Sequence, residues 1–370
     1  MAQARQKERF RCNPSVLSPL QPQAQLHFED MRRTICLTLL GAAAASAPDA
    51  GACKAAALDG AAADGAVSLL SVKGRALAGE RRGEPAPADA EGQRRRLERA
   101  RPIAWLHVPK AGSSLNNFMV HLPGVCPGIE QDLVISEETM GIRHNQYFKR
   151  HYDPLHEAGA CPGSFSTWGN HNGAGPTWDE RYAGHCFVML RQPEQRLLSG
   201  YHYSQHSWPE LLPASNELQY AERIQGCAVR MITRGGNSPE ETCGGRDTGL
   251  PTWDEVALAI RRIRTGCAFV GITDQWPLSM CLGHRIFGGK CHVTDFVDGR
   301  MTTKGGGETT KIAPDPHLYN LTPLSNFTDP YDGALYQAAL EVFQENLLRY
   351  NVSMEACQPC FEEAGVDFSD

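Results

Sequence analysis

Beyond residue 100, apolar positions alternate between two patterns: short continuous runs, and longer stretches in which they recur every three or four residues. Ile103, Trp105, Leu106 and Val108, bounded by Pro102 and Pro109, read as a buried strand. Residues 187–190 and 269–272 are equally apolar and too short for helices, so they read as strands buried on both faces. A helical pattern follows each run. Leu115, Phe118, Met119 and Leu122 share one face. Leu197, Leu198 and Tyr201 line a helix opened by Pro193, with Arg196 and Ser199 on its other faces. Residues 277–287 form a third helix, stopped by Gly288 and Gly289. The spacing predicts further helices over 216–234, with Leu218, Ile224, Val229 and Ile232 inward, and over 253–264, where Thr252 and Glu255 make a capping box. A last one covers 331–350, with Leu335, Ala338, Ala339, Val342, Phe343, Asn346 and Leu347 in one mostly apolar stripe. Strands alternating with helices imply an α/β fold, a mainly parallel sheet with helices on both faces.

The first hundred residues carry a different pattern. Residues 1–30 are polar and aperiodic. In residues 31–47, Arg32 and Arg33 precede a short apolar run that ends in Ala45-Ser46-Ala47, the layout of a secretory signal peptide or of an N-terminal anchor. Residues 48–100 are dominated by small, polar and charged types and close on Arg94-Arg95-Arg96, which reads as a flexible stem with a solvated end. The expected organisation is therefore a disordered leader and stem over 1–100, a catalytic domain over 101–356 and a tail over 357–370.

Composition narrows the class. A net charge of −6 excludes a nucleic-acid binder held by a basic surplus. Thirteen cysteines are many for a cytosolic chain of this size. Cys357 and Cys360 form one C-x-x-C with no second pair at zinc spacing, which reads as a disulfide or spare thiols ahead of a metal site, and no metal is expected. Cys227 can bridge Cys243 across a loop, although spacing alone assigns no partners. Asn320, Asn326 and Asn351 each open a glycosylation sequon, which weighs mildly toward a secretory lumen.

The candidate chemistry sits where strands pass into helices. In Pro109-Lys110-Ala111-Gly112-Ser113-Ser114, Gly112 permits a close turn and Ser113 or Ser114 can cap the next helix. Such a joint aims amide N–H groups at one point, and Lys110 adds a full charge, so the guest is a phosphate or phosphosulfate. The two-glycine Walker pattern is absent. Arg191 ends the second strand in the same way. In open α/β sheets ligands gather beyond the strands' carboxyl ends, so Lys110 and Arg191 are expected to share one sheet edge and hold two phosphates of one nucleotide.

These residues also carry a family resemblance. His107-Val-Pro-Lys110-Ala-Gly-Ser-Ser-Leu115 resembles the 5′-phosphosulfate loop of the Golgi-type carbohydrate sulfotransferases, heparan 2-O-sulfotransferases among them. Leu190-Arg-Gln-Pro-Glu-Gln-Arg-Leu-Leu-Ser199-Gly-Tyr201 resembles their 3′-phosphate motif, except that Gln192 stands where the family often has Asp. Phe269-Val-Gly-Ile-Thr-Asp-Gln-Trp, Cys281-Leu-Gly-His-Arg-Ile-Phe-Gly-Gly and Asp329-Pro-Tyr-Asp-Gly-Ala-Leu-Tyr continue the likeness, which runs from about residue 101 to 350.

The resemblance implies a three-layer α/β/α fold like that of the P-loop NTPases. It also implies sulfuryl transfer from 3′-phosphoadenosine 5′-phosphosulfate (PAPS) to a hydroxyl of a carbohydrate acceptor, in the Golgi lumen, with no metal. Lys110, Ala111, Gly112, Ser113, Ser114 and Leu115 would hold the 5′-phosphosulfate, and Arg191 and Ser199 the 3′-phosphate. Arg300 and Lys304 are secondary candidates on a basic, glycine-rich loop. The family's general base lies some twenty residues ahead of its 3′-phosphate Arg, which selects His171 here, with His107, His185 and His202 as rivals. A neutral imidazole, titrating near ~6.5, suits that task. Acceptor choice falls to the loops over 124–168 and 235–252. The competing readings are a P-loop-like kinase using ATP and a catalytically silent, carbohydrate-binding relative.

Overall fold

Three short strands pair in parallel, in the order in which they occur in the sequence. β1 (Ala104–Leu106) lies beside β2 (Cys186–Leu190), and β2 beside β3 (Cys267–Ile272). The computed structural model describes residues 89–129, 158–165, 171–209, 212–238, 240–244, 249–296 and 318–368. The leader with its apolar run at 31–47, and the loop carrying Arg300 and Lys304, lie outside these residues. β1 and β2 are buried along their whole length, which is why they are written in continuous apolar residues rather than in alternation. The chain is thus an α/β protein with a three-stranded parallel sheet flanked by helices.

Among the described residues the α-helices are α1 (Ala90–Ala100), α2 (Leu115–His121), α3 (Pro193–His202), α4 (Glu217–Ile224), α5 (Cys227–Thr233), α6 (Trp253–Gly266), α7 (Trp276–Phe287), α8 (Val293–Phe296), α9 (Pro330–Arg349) and α10 (Met354–Ala364). Aromatic rings bind the helices to the sheet. Phe269 of β3 lies 5.8 Å from Phe118 of α2 and 5.5 Å from Phe187 of β2, and Phe187 stacks at 4.9 Å on Phe287 of α7. Such pairs add about 0.5–1.5 kcal/mol each beyond their area burial. Gly283 lets α7 reach the Phe118 ring, since any Cβ there would collide with it.

Several expectations are corrected. The last eleven residues of the expected stem form α1, capped by the Asp89 side chain and supported by Arg94 and Arg95 on Glu91. Its Leu97 and Ala100 are buried, and Gln93 and Arg96 donate to the carbonyls of His284 and Ile286 on α7. Arg94 and Arg95 are the solvated part of the arginine run, and Arg96 is docked. The helix expected over 216–234 is two helices, α4 and α5, because Gly226 turns left-handed (φ 71°) between them. The expected tail continues as α10. Its two cysteines bridge elsewhere, Cys357 to Cys281 and Cys360 to Cys291, so the C-x-x-C is neither an internal disulfide nor a spare pair. Cys227–Cys243 and Cys126–Cys161 bring the disulfides among the described residues to four. On α3, Arg196 and Ser199 are buried with Leu197 and Leu198, so that helix has no solvated face at these positions. Among the described residues, no helix is long and apolar enough to cross a membrane.

Candidate functional site at the strand tips

β1 ends at Leu106, and the chain turns through Val108, Pro109 and Lys110 into the small-residue joint. Lys110 itself is left-handed, with φ 64°, and Gly112 follows at φ 93°. For a lysine that conformation costs on the order of 1–2 kcal/mol, and such strain gathers at functional sites. Gly112 is required for a second reason. A Cβ at that position would sit 2.7 Å from the Trp276 ring and 3.3 Å from Thr273 Oγ1, both just past β3. The joint after β1 therefore leans on the joint after β3.

The serines do not cap α2 as expected. Ser114 holds the N-cap position in a helical conformation, with no side-chain hydrogen bond to the helix, and Ser113 Oγ lies 2.8 Å from His107 Nε2. The Leu115 N–H donates to Gly112 O at 3.2 Å, closing a tight turn. Of the expected anion-facing amides, those of Gly112, Ser113 and Ser114 thus precede the first turn of α2. Ala111 is buried beneath them.

His171 is brought to this joint from 64 residues away: its Nδ1 lies 2.6 Å from the His107 carbonyl oxygen. A carbonyl only accepts, so Nδ1 carries a proton, and in the neutral ring the lone pair then falls on Nε2, the tautomer a general base needs. The His107 ring stacks on Trp105 at 3.8 Å and lies 4.1 Å from the His171 ring, which meets His206 edge-on at 4.9 Å. His107, one of the rivals, thus supports His171. His185 lies at the other end of β2, directed to Ala100 O.

Arg191 follows β2 directly, and because β1 and β2 are parallel neighbours it occupies the same sheet edge as Lys110. Both cations lead to the last turn of α3. Lys110 Nζ lies 3.8 Å above the ring of Tyr203, the C-cap residue of α3. The Arg191 guanidinium lies 5.6 Å from the Tyr319 ring, which stacks on His202. Tyr319 is held there by reciprocal hydrogen bonds with the Gln195 amide, at 2.7 and 3.0 Å. Ser199 is buried in α3 one turn before Tyr203. Gln192 takes a local role: its side chain accepts from Gln195 N–H and caps α3.

The third strand tip belongs to the stretch that continues the likeness, but the sequence assigns it no role. Asp274 Oδ2 accepts from the Gln192 N–H at 3.2 Å and from the Tyr336 hydroxyl at 2.8 Å. Burial and the neighbouring Asp274 push the Tyr336 hydroxyl well above the usual tyrosine range. The neighbouring Thr273 Oγ1, beside Gly112, is a buried hydroxyl with no hydrogen-bond partner among the described residues. The available signal was positional: Asp274 lies two residues past the end of β3, and Arg191 one past the end of β2. Tyr203, His206 and Tyr319 had no such signal, because they reach the site only through the packing of α3.

A separate cavity, lined among others by Gln93, Leu97, Arg101, Pro123 and Gly288, adjoins the segment entering β1 and not these strand tips. Among the described residues no cluster of histidine, cysteine and carboxylate side chains is placed to hold a metal ion. No family model matches the chain, no curated protein matches it, and no solved structure matches it.

Proposed function

We propose that the protein is a sulfotransferase that moves a sulfuryl group from PAPS to a hydroxyl of a carbohydrate. The observation that carries this reading is the meeting of three features at one sheet edge. Those features are a strained Lys110 in a small-residue joint, Arg191 on the neighbouring parallel strand, and His171 tied to His107 in the proton-accepting tautomer. In this reading the sheet belongs to a three-layer α/β/α core of P-loop-NTPase type. The 5′-phosphosulfate lies against Lys110 and the Ala111–Leu115 joint, held by the amides of Gly112, Ser113 and Ser114, and the 3′-phosphate against Arg191 and Ser199. Arg300 and Lys304, outside the described residues, are further candidates for the nucleotide.

The acceptor oxygen forms its bond to sulfur as the bond from sulfur to the 5′-phosphate oxygen breaks. His171 Nε2 takes the acceptor's proton, and Lys110 offsets the charge that grows on the leaving phosphate. Positioning and charge stabilisation dominate a transfer of this kind, as in phosphoryl transfer. Four disulfides favour an oxidising compartment, and the exposed sequon asparagines Asn320, Asn326 and Asn351 agree with a secretory lumen such as the Golgi. Any attachment to the membrane would pass through residues 31–47.

Calorimetric titration with 3′-phosphoadenosine 5′-phosphate and, separately, with ATP tests the reading. The bisphosphate is expected to bind and ATP to bind at least tenfold more weakly. Tight ATP binding without bisphosphate binding would favour a kinase and overturn the assignment. Turnover of labelled PAPS on a mixed glycan pool then separates an enzyme from a silent carbohydrate binder.

A further inference from the structure

At the end of the sheet opposite the strand tips, two thiols meet. Cys186 opens β2, Cys267 opens β3, and the two are register partners across the parallel pair. Adjacent strands run about 4.8 Å apart, inside the ~4.4–6.8 Å that a disulfide spans between Cα atoms. As register partners on neighbouring parallel strands, the two thiols lie side by side, and Cys267 raises the cost of ionising Cys186. Just ahead of them, Gly184 N–H bonds to Gly266 O at 2.7 Å, so the backbone already fixes the two strand starts. Neither cysteine belongs to the four disulfides; Cys186 is buried and Cys267 is half-buried.

We infer that Cys186 and Cys267 form a redox-active pair that closes into a fifth, inter-strand disulfide by exchange with a small disulfide such as oxidised glutathione. The half-buried Cys267 is the point of entry. Its thiolate attacks one sulfur of glutathione disulfide, that S–S bond breaks, and one glutathione thiolate leaves. Cys186 then attacks Cys267 Sγ of the mixed disulfide and expels the second glutathione, whose thiolate takes up the Cys186 proton. The chain loses two electrons and one glutathione disulfide becomes two thiols. Burial pushes the Cys186 thiol well up, so this second step is the slow one. A chain that makes four other disulfides folds where such exchange operates. Closure ties β2 to β3 far from Lys110 and Arg191, so it is read in stability and does not depend on the proposed enzymatic activity.

The test uses the full chain equilibrated in glutathione buffers of increasing oxidised fraction, with thiols then blocked by N-ethylmaleimide and the protein digested without reduction. A peptide linking Cys186 to Cys267 is expected to rise with glutathione disulfide, while the Cys281–Cys357 and Cys291–Cys360 links stay constant. The melting temperature should rise with it by about 5 °C. In a Cys186→Ala variant, a glutathione adduct on Cys267 should persist where the parent resolves it. The inference is overturned if both cysteines remain labelled at every ratio that preserves the other four links. An equal, stable Cys267 adduct in parent and variant would overturn it as well.

Discussion

Charged side chains gather in two regions of the molecule, built in opposite ways. Behind α3, Asp332 accepts from Arg196 at 3.1 Å and from the amides of Ala228 and Val229 at 3.1 and 3.0 Å. Asp329 accepts from the amides of Gly226, Tyr331 and Asp332, and Glu194 from that of Asp329. The carboxylates are saturated by the chain's own donors, and the junction stitches α3, α5 and α9 together. At the strand tips, Lys110 and Arg191 lie instead against the faces of Tyr203 and Tyr319. Each such cation–ring contact contributes about 0.5–1 kcal/mol where exposed. The first region is a lock; the second is the one proposed above to take a ligand.

The lock should show the largest effect. Arg196→Met leaves Asp332 buried without its cation and is expected to lower stability by about 3–5 kcal/mol in urea unfolding. A variant as stable as the parent would mean that the amides alone suffice, and the contrast would fail on that side. Lys110→Ala should do the reverse. Sulfuryl transfer should fall about 10²–10³-fold, the scale of losing one charge-stabilising donor, with the unfolding midpoint almost unmoved. Full turnover by Lys110→Ala would remove Lys110 from the mechanism.

Much of this layout was legible in the sequence, for a physical reason. Strands buried on both faces must be continuous apolar runs, so residues 103–108, 187–190 and 269–272 announced the sheet. The proline at the first turn of α3 and the Thr252–Glu255 box of α6 announced helix starts. Lys110 and Arg191 were visible because position after a buried strand is a local property. What could not be read depends on distant packing. Few large apolar residues mark α1, yet Leu97 suffices to seat it on α7 because Gln93 and Arg96 add hydrogen bonds to α7 carbonyls. The bonding of Ser113 to His107 in place of a helix cap is likewise a tertiary choice, as is the pairing of Cys357 and Cys360 with α7 and the segment after it.

The lock should also be sensitive to pH, in a direction its chemistry fixes. Burial, with Asp332 close by, raises Asp329 from the ordinary range to about 7. The folded chain then holds a proton between pH 4 and 7 that the unfolded chain has released, so stability falls as pH rises through that window. The contribution is present below the unfolded pKa and lost as pH passes the folded one. Glu255 behaves oppositely: its hydrogen bond with Arg234 holds it down at about 2, so its support is lost as pH falls below the usual carboxylate range. Unfolding of Asp329→Asn should lose a decline of about 1–2 kcal/mol between pH 5 and 7, while Glu255→Gln should flatten only the acid limb. A parent whose stability rose from pH 5 to 7, with the rise abolished in Asp329→Asn, would reverse the assignment.

The smallest effect bears most directly on the contrast, because it separates strain from stability at one residue. Lys110 holds φ 64°, a conformation that a glycine adopts without penalty. Replacing Lys110 with alanine removes the charge but keeps the Cβ and its strain; replacing it with glycine removes both. Glycine adds freedom to the unfolded chain, which offsets part of the gain. Lys110→Gly is therefore expected to be more stable than Lys110→Ala by about 1 kcal/mol, while both lose turnover alike. Differential scanning calorimetry of the two variants reads the first quantity and a labelled-sulfate assay the second. If Lys110→Ala proved the more stable, the left-handed turn would carry no strain for the ligand to exploit, and Lys110 would be an ordinary surface lysine resting on Tyr203.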